Sequence, residues 1–118
     1  MPDQTPPARN DEFERQWEQV PLHRFLGVSL VESSEGFCRL RWRPPDPPPQ
    51  HGGSVHGGIL AALVDITILR ALFAVPDPSV TPAGTADLNI TYMRPALGKR
   101  IFSEGHVIEK GRQLAVGE

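Results

Sequence analysis

Residues Gln50–Phe73 read QHGGSVHGGILAALVDITILRALF, and this stretch decides the fold. It opens as a glycine-rich loop, and after Gly58 neither glycine nor proline interrupts it until Pro76. That predicts a helix. Its apolar residues (Ile59, Leu60, Leu63, Val64, Ile66, Ile68, Leu69, Leu72 and Phe73) cover every side instead of forming a stripe. A helix that is hydrophobic all round is expected to be buried. One carboxylate, Asp65, stands in its middle. Taking an ionised carboxylate out of water without a partner costs several kcal/mol, so Asp65 needs either a partner or a task.

Gly57 and Gly58 lie where this helix begins. Free backbone N–H groups and the positive end of the helix dipole meet there, which suits a developing oxyanion. Asp65 is eight residues past Gly57, or ~12 Å along the axis at ~1.5 Å per residue. A catalytic base must sit within ~3 Å of its target, or one water away. Asp65 therefore cannot serve the oxyanion position of its own helix. Two such helices side by side in opposite directions would bring the carboxylate of one chain to the glycine of the other. The spacing thus predicts a site shared across a dimer.

A chain of 118 residues holds one modest core. We expect a flexible tail over residues 1–9 and a single domain over 10–118. A formal charge of −2 with 22% charged residues argues against a nucleic-acid footprint. The single cysteine, Cys38, excludes an internal disulfide and fits a reducing compartment, so the expected location is cytoplasmic. Asp65 and Arg70 interrupt the central apolar run, and no signal-like apolar segment opens the chain, so no membrane span is expected. His23, His51 and His106 are scattered without supporting acids, so no metal site is expected. No G-x-S-x-G motif is present.

Outward from the central stretch, Asn10 or Asp11 can cap a helix over Glu12–Gln19, with Phe13 and Trp17 sharing a face. Pro21–Leu26 reads as a connection ended by Gly27. Val28–Glu32 and Phe37–Trp42 read as strands around a Ser33–Gly36 turn. In the second strand Cys38, Leu40 and Trp42 face one way and Phe37, Arg39 and Arg41 the other. Pro44–Pro49 bars both helix and ladder. Past a Pro76–Pro82 turn region, Thr85–Met93 alternates Ala86, Leu88, Ile90 and Tyr92 against Thr85, Asp87, Asn89 and Thr91, which predicts a strand with one wet face. Arg100–Glu109 is a further strand, Lys110-Gly111-Arg112 a hairpin turn, and Gln113–Val116 begins another strand. One buried helix among amphipathic strands is an α+β architecture, with an antiparallel sheet curved around the helix.

Three motifs together resemble the hotdog-fold acyl-CoA thioesterases, in their phenylacetate-degradation (PaaI-like) branch. They are His56-Gly57-Gly58 with Asp65 following, the segment Asp87-Leu-Asn-Ile-Thr-Tyr-Met-Arg-Pro95-Ala96, and Gly111-Arg112 before a strand. Pro21-Leu-His-Arg-Phe-Leu-Gly27 adds to the likeness, which covers residues 12–118. Two departures stand out. Many members carry Asn where this chain has Gln50, and members usually run on into another strand where this one stops at Glu118. The expected fold is therefore a hotdog with its C-terminal strand cut short.

The resemblance implies hydrolysis of acyl-CoA without a cofactor, by a homodimer or dimer of dimers. Gly57 N–H would hold the carbonyl oxygen and Asp65 would act as general base or as nucleophile. His56 would steady the loop or polarise the carbonyl, and Gln50 would bond the loop or the thioester. Thr85 would orient water beside the aspartate. Asp87, Tyr92 and the turn Lys110, Gly111, Arg112 and Gln113 would lie near substrate, the two cations being suited to phosphate. A non-catalytic acyl-CoA-binding hotdog module is the alternative reading.

Overall fold

The structure, a computed structural model, describes residues 17, 19–45, 53–75, 77–81 and 84–118. The expected tail and most of the expected Glu12–Gln19 helix lie outside these residues, as does Gln50. The ordered elements are helix α1 (Pro21–Leu26), strands β1 (Ser29–Ser34) and β2 (Phe37–Trp42), helix α2 (Gly57–Leu72), and strands β3 (Ile101–Lys110) and β4 (Ala115–Gly117). The strands form an antiparallel sheet in the order β1-β2-β3-β4, and α2 packs across β2 and β3. This is the α+β arrangement expected of a hotdog.

Pro21–Leu26 is a helix, not a bare connection. Proline at its start has φ preset for the first turn and gives up an N–H that would have no partner there. Gly27 ends it at φ 75, in the left-handed region, and donates its N–H to the His23 carbonyl. β2 follows its alternation: Cys38, Leu40 and Trp42 are buried while Phe37, Arg39 and Arg41 are half-buried. The inner side chains join Trp17, Val28, Leu63, Ile66 and Ala71 in the core. The Trp42 indole N–H, which burial would otherwise leave unsatisfied, donates to the Leu26 carbonyl at 2.7 Å. Burial pushes the Cys38 thiol up to about 12, which makes it an inert packing group. On the outer face Arg39 pairs with Glu104 across the β2–β3 ladder and lies over the Phe102 ring.

Sheet and helix backbone approach closely at Gly105. A Cβ there would stand 3.1 Å from the Thr67 backbone carbon, carbonyl oxygen and Cγ2. The buried Thr67 hydroxyl donates to the Leu63 carbonyl and meets the Ser103 hydroxyl at 2.7 Å. Gly105→Ala must push helix backbone away from the sheet, so it is expected to cost ~1–3 kcal/mol, read as a lowered midpoint in denaturant.

Two expectations are corrected. First, α2 is not buried all round: Leu63, Ile66, Thr67 and Ala71 are buried, while Leu60, Val64, Asp65, Ile68 and Leu69 are half-buried. One four-stranded sheet covers only one side of a cylinder. Second, Thr85–Met93 is not a strand. A strand needs a neighbour to complete its ladder, and among the described residues none pairs with this segment. Thr85 to Asn89 stand exposed, Ile90 alone is half-buried, and Tyr92 and Met93 are exposed. The segment and the residues just after it are held at three points along α2 and the loop that leads into it instead. These are Thr85 on Asp65, Tyr92 on Gly57, and the Ala96 carbonyl accepting from Val55 N–H at 3.0 Å.

Candidate active site

The chemistry-bearing residues gather at two places on α2. At its N-terminus His56 is the capping residue, and its Nδ1 accepts from Gly58 N–H at 2.9 Å. Nδ1 therefore carries a lone pair, and the neutral ring keeps its proton on Nε2. The His56 carbonyl accepts from the N–H groups of Ile59 and Leu60. Tyr92 Oη donates to the Gly57 carbonyl at 2.7 Å, and its ring lies so close that a Cβ on Gly57 would meet Tyr92 Cζ at 3.2 Å. Among the described residues no acceptor takes the Gly57 N–H. Beside it opens a cleft of about 370 Å³ lined by Ser54, Val55, Gly57, Leu60 and Tyr92–Ala96.

Two helical turns further on, Asp65 is half-buried and accepts a hydrogen bond from the Thr85 hydroxyl. Asp65 and Thr85, twenty residues apart in sequence, are thus brought together. Eight residues of helix hold them ~12 Å from the Gly57 amide along the axis. Asp87 is exposed and bonded to the Asn89 amide at 2.9 Å. Lys110, Gly111, Arg112 and Gln113 form the exposed β3–β4 turn. Gly111 closes this turn by donating to the Leu114 carbonyl at 2.8 Å, where a Cβ would come within 2.7 Å of that oxygen. Of these residues only Gly57 and Tyr92 line the cleft. Nothing in the sequence marked Ser54, Val55 and Leu60 as its walls, because they belong to no motif and wall a cleft only by their placement in the fold. Among the described residues no cluster of His, Cys, Asp or Glu could hold a metal, and no helix is long and apolar enough to cross a membrane.

A thioesterase superfamily model matches residues 52–118. A Halobacterium salinarum protein with an esterase designation is 40% identical over 82% of this chain and 66% of its own length. Human acyl-coenzyme A thioesterase 13 is 35% identical over 80% of this chain and 67% of its own. The chain thus spans about two thirds of the length of these curated relatives. The crystal structure of mouse thioesterase superfamily member 2 superposes with a TM-score of 0.72 at 29% identity, over 88% of this chain and 76% of that one.

Proposed function

The chain belongs to the thioesterase superfamily, and on that footing we propose that it hydrolyses acyl-CoA thioesters to the free acid and coenzyme A. The observation that carries the reading is the division of the site within one chain. An amide donor without an acceptor among the described residues opens on a cleft at one end of α2, and a hydroxyl-oriented carboxylate sits two turns away. A second chain with its α2 antiparallel to the first joins the two halves. The half-covered sides of α2 and the exposed Leu88, Tyr92 and Met93 are the apolar surface that such a homodimer, or a dimer of dimers, would cover.

The thioester carbonyl oxygen sits on the Gly57 N–H, with His56 Nε2–H as a further donor. Asp65 of the partner subunit, oriented by Thr85, takes the proton from an attacking water or itself attacks the carbonyl carbon. The new C–O bond pushes charge onto the oxygen held by Gly57. When the tetrahedral intermediate collapses, the C–S bond breaks. In the water route the proton taken by Asp65 passes to the coenzyme A sulfur; in the direct-attack route coenzyme A leaves as the thiolate and is protonated by the proton that the later hydrolysis releases. In the direct-attack route, water then hydrolyses the mixed anhydride. Gln50 would bond the loop or the thioester. Tyr92 would flank the acyl-CoA, and Asp87 and the turn Lys110, Gly111, Arg112 and Gln113 would lie along the coenzyme A moiety. The reaction uses no cofactor, since a carboxylate, a water and an amide supply each step. The lone buried Cys38 fits a cytoplasmic home.

A thiol-release assay over a panel of aryl- and alkyl-acyl-CoA substrates tests this reading. Free thiol should appear in step with free acid. Calorimetric binding of acyl-CoA with no thiol released would identify a binding module instead.

A further inference from the structure

We propose that Tyr92 is a positioning residue that acts on the site through one peptide group, an inference that rests on the hydrolase reading above. The Gly57–Gly58 peptide is gripped at both poles. Its carbonyl accepts from Tyr92 Oη at 2.7 Å, and its N–H donates to His56 Nδ1 at 2.9 Å. A hydroxyl, a peptide and an imidazole thus form one chain of hydrogen bonds in which each member polarises the next.

The consequences reach both donors of the site. The bond from His56 Nδ1 to Gly58 N–H closes a ring of atoms that runs through the His56 carbonyl carbon and the whole of Gly57. The Gly57 nitrogen lies inside that ring. Gly57 and Gly58 have no Cβ, so the first turn of α2 is less stiff there than it would be with other residues. With the peptide pinned by Tyr92, the ring is rigid and the Gly57 N–H has one direction. The same pinning holds the Gly58 N–H on Nδ1, which keeps the imidazole proton on Nε2, the nitrogen left to act as a donor. Tyr92 comes from a segment that makes no strand pairing among the described residues. The clamp is therefore a point contact on the first residue of α2, separate from the sheet ladders of the described residues. Preorganisation of donors ahead of the charge they receive is what such a clamp contributes.

Tyr92→Phe tests this, because it removes only Oη and keeps the ring that packs on Gly57. Two readouts are taken on the full chain. In the thiol-release assay kcat should fall about tenfold with KM within about twofold, since the clamp bears on charge stabilisation and not on binding. In ¹⁵N NMR of the ligand-free protein the His56 ring should lose its uniform Nε2–H tautomer signature, and Gly58 amide exchange should quicken. Mere packing by the tyrosine ring moves neither, because phenylalanine supplies the same ring. Turnover within twofold of the parent, with an unchanged His56 ring spectrum, would overturn the inference. If the parent protein releases no thiol from any acyl-CoA while the His56 and Gly58 signals still respond to Tyr92→Phe, the clamp stands and the hydrolase reading falls.

Discussion

Asp65→Asn is expected to lower kcat by ~10²–10⁴-fold, the range for removing a general base, while leaving the protein folded and its oligomer intact. The substitution is nearly isosteric. An asparagine side-chain oxygen can still accept from the Thr85 hydroxyl, which is the contact Asp65 makes in the structure. What goes is the capacity to take a proton or to attack a carbonyl. KM should change little, because asparagine keeps the size and the hydrogen bonding of the side chain and loses only the group that acts in the transition state. If Asp65 were a structural acid, the loss would appear in the unfolding midpoint and not in turnover. Parallel melts and steady-state assays of Asp65→Asn separate the two, and turnover above a tenth of the parent's on its best substrate would remove Asp65 from the chemistry.

The second large effect is expected at Gly57. Gly57→Pro deletes the N–H assigned to the carbonyl oxygen, and the backbone tolerates the ring there. Proline is favoured at the first position of a helix. The preceding residue, His56, already has φ −59 and ψ 135, the extended region that a residue before proline prefers. Loss of one such donor is worth ~10²–10³ in kcat. The added carbons also crowd the Tyr92 ring, since a Cβ would come within 3.2 Å of it. Gly57→Ala supplies that crowding and keeps the N–H, so it is the control. The alanine variant should retain much more turnover than the proline variant, and equal losses would mean that crowding, not the missing donor, accounts for the effect.

Much of this was legible in the sequence because the signals were local. The α2 run is bounded by Gly58 and Pro76, and the structure places the helix over Gly57–Leu72. The β2 alternation is reproduced residue by residue in burial. The Lys110-Gly111-Arg112 turn falls between paired strands as expected. Pro21 and Gly27 carried the start and stop signals of a short helix, and weighing them as such would have found α1. Thr85–Met93 failed for a different reason. Alternation tells which side chains could share a face, but only a neighbour makes a strand, and no such neighbour is visible from within the segment. The site divides in the same way. His56-Gly57-Gly58 and Asp65 are close in sequence and were read from spacing on one helix. The Tyr92–Gly57 contact joins residues 35 apart. It depends on where an irregular segment crosses the helix start, which no local pattern encodes.

The central claim is that the amide and the carboxylate acting on one thioester come from different chains. Mixing the two disabled variants, Asp65→Asn and Gly57→Pro, after unfolding and joint refolding tests it directly. Each variant alone should be nearly inactive. In a mixed dimer one site receives an intact Gly57 from one chain and an intact Asp65 from the other, while the second site receives both lesions. Half of randomly paired dimers are mixed, so about a quarter of the parent activity should return. A mixture no more active than the average of its two components would contradict the account.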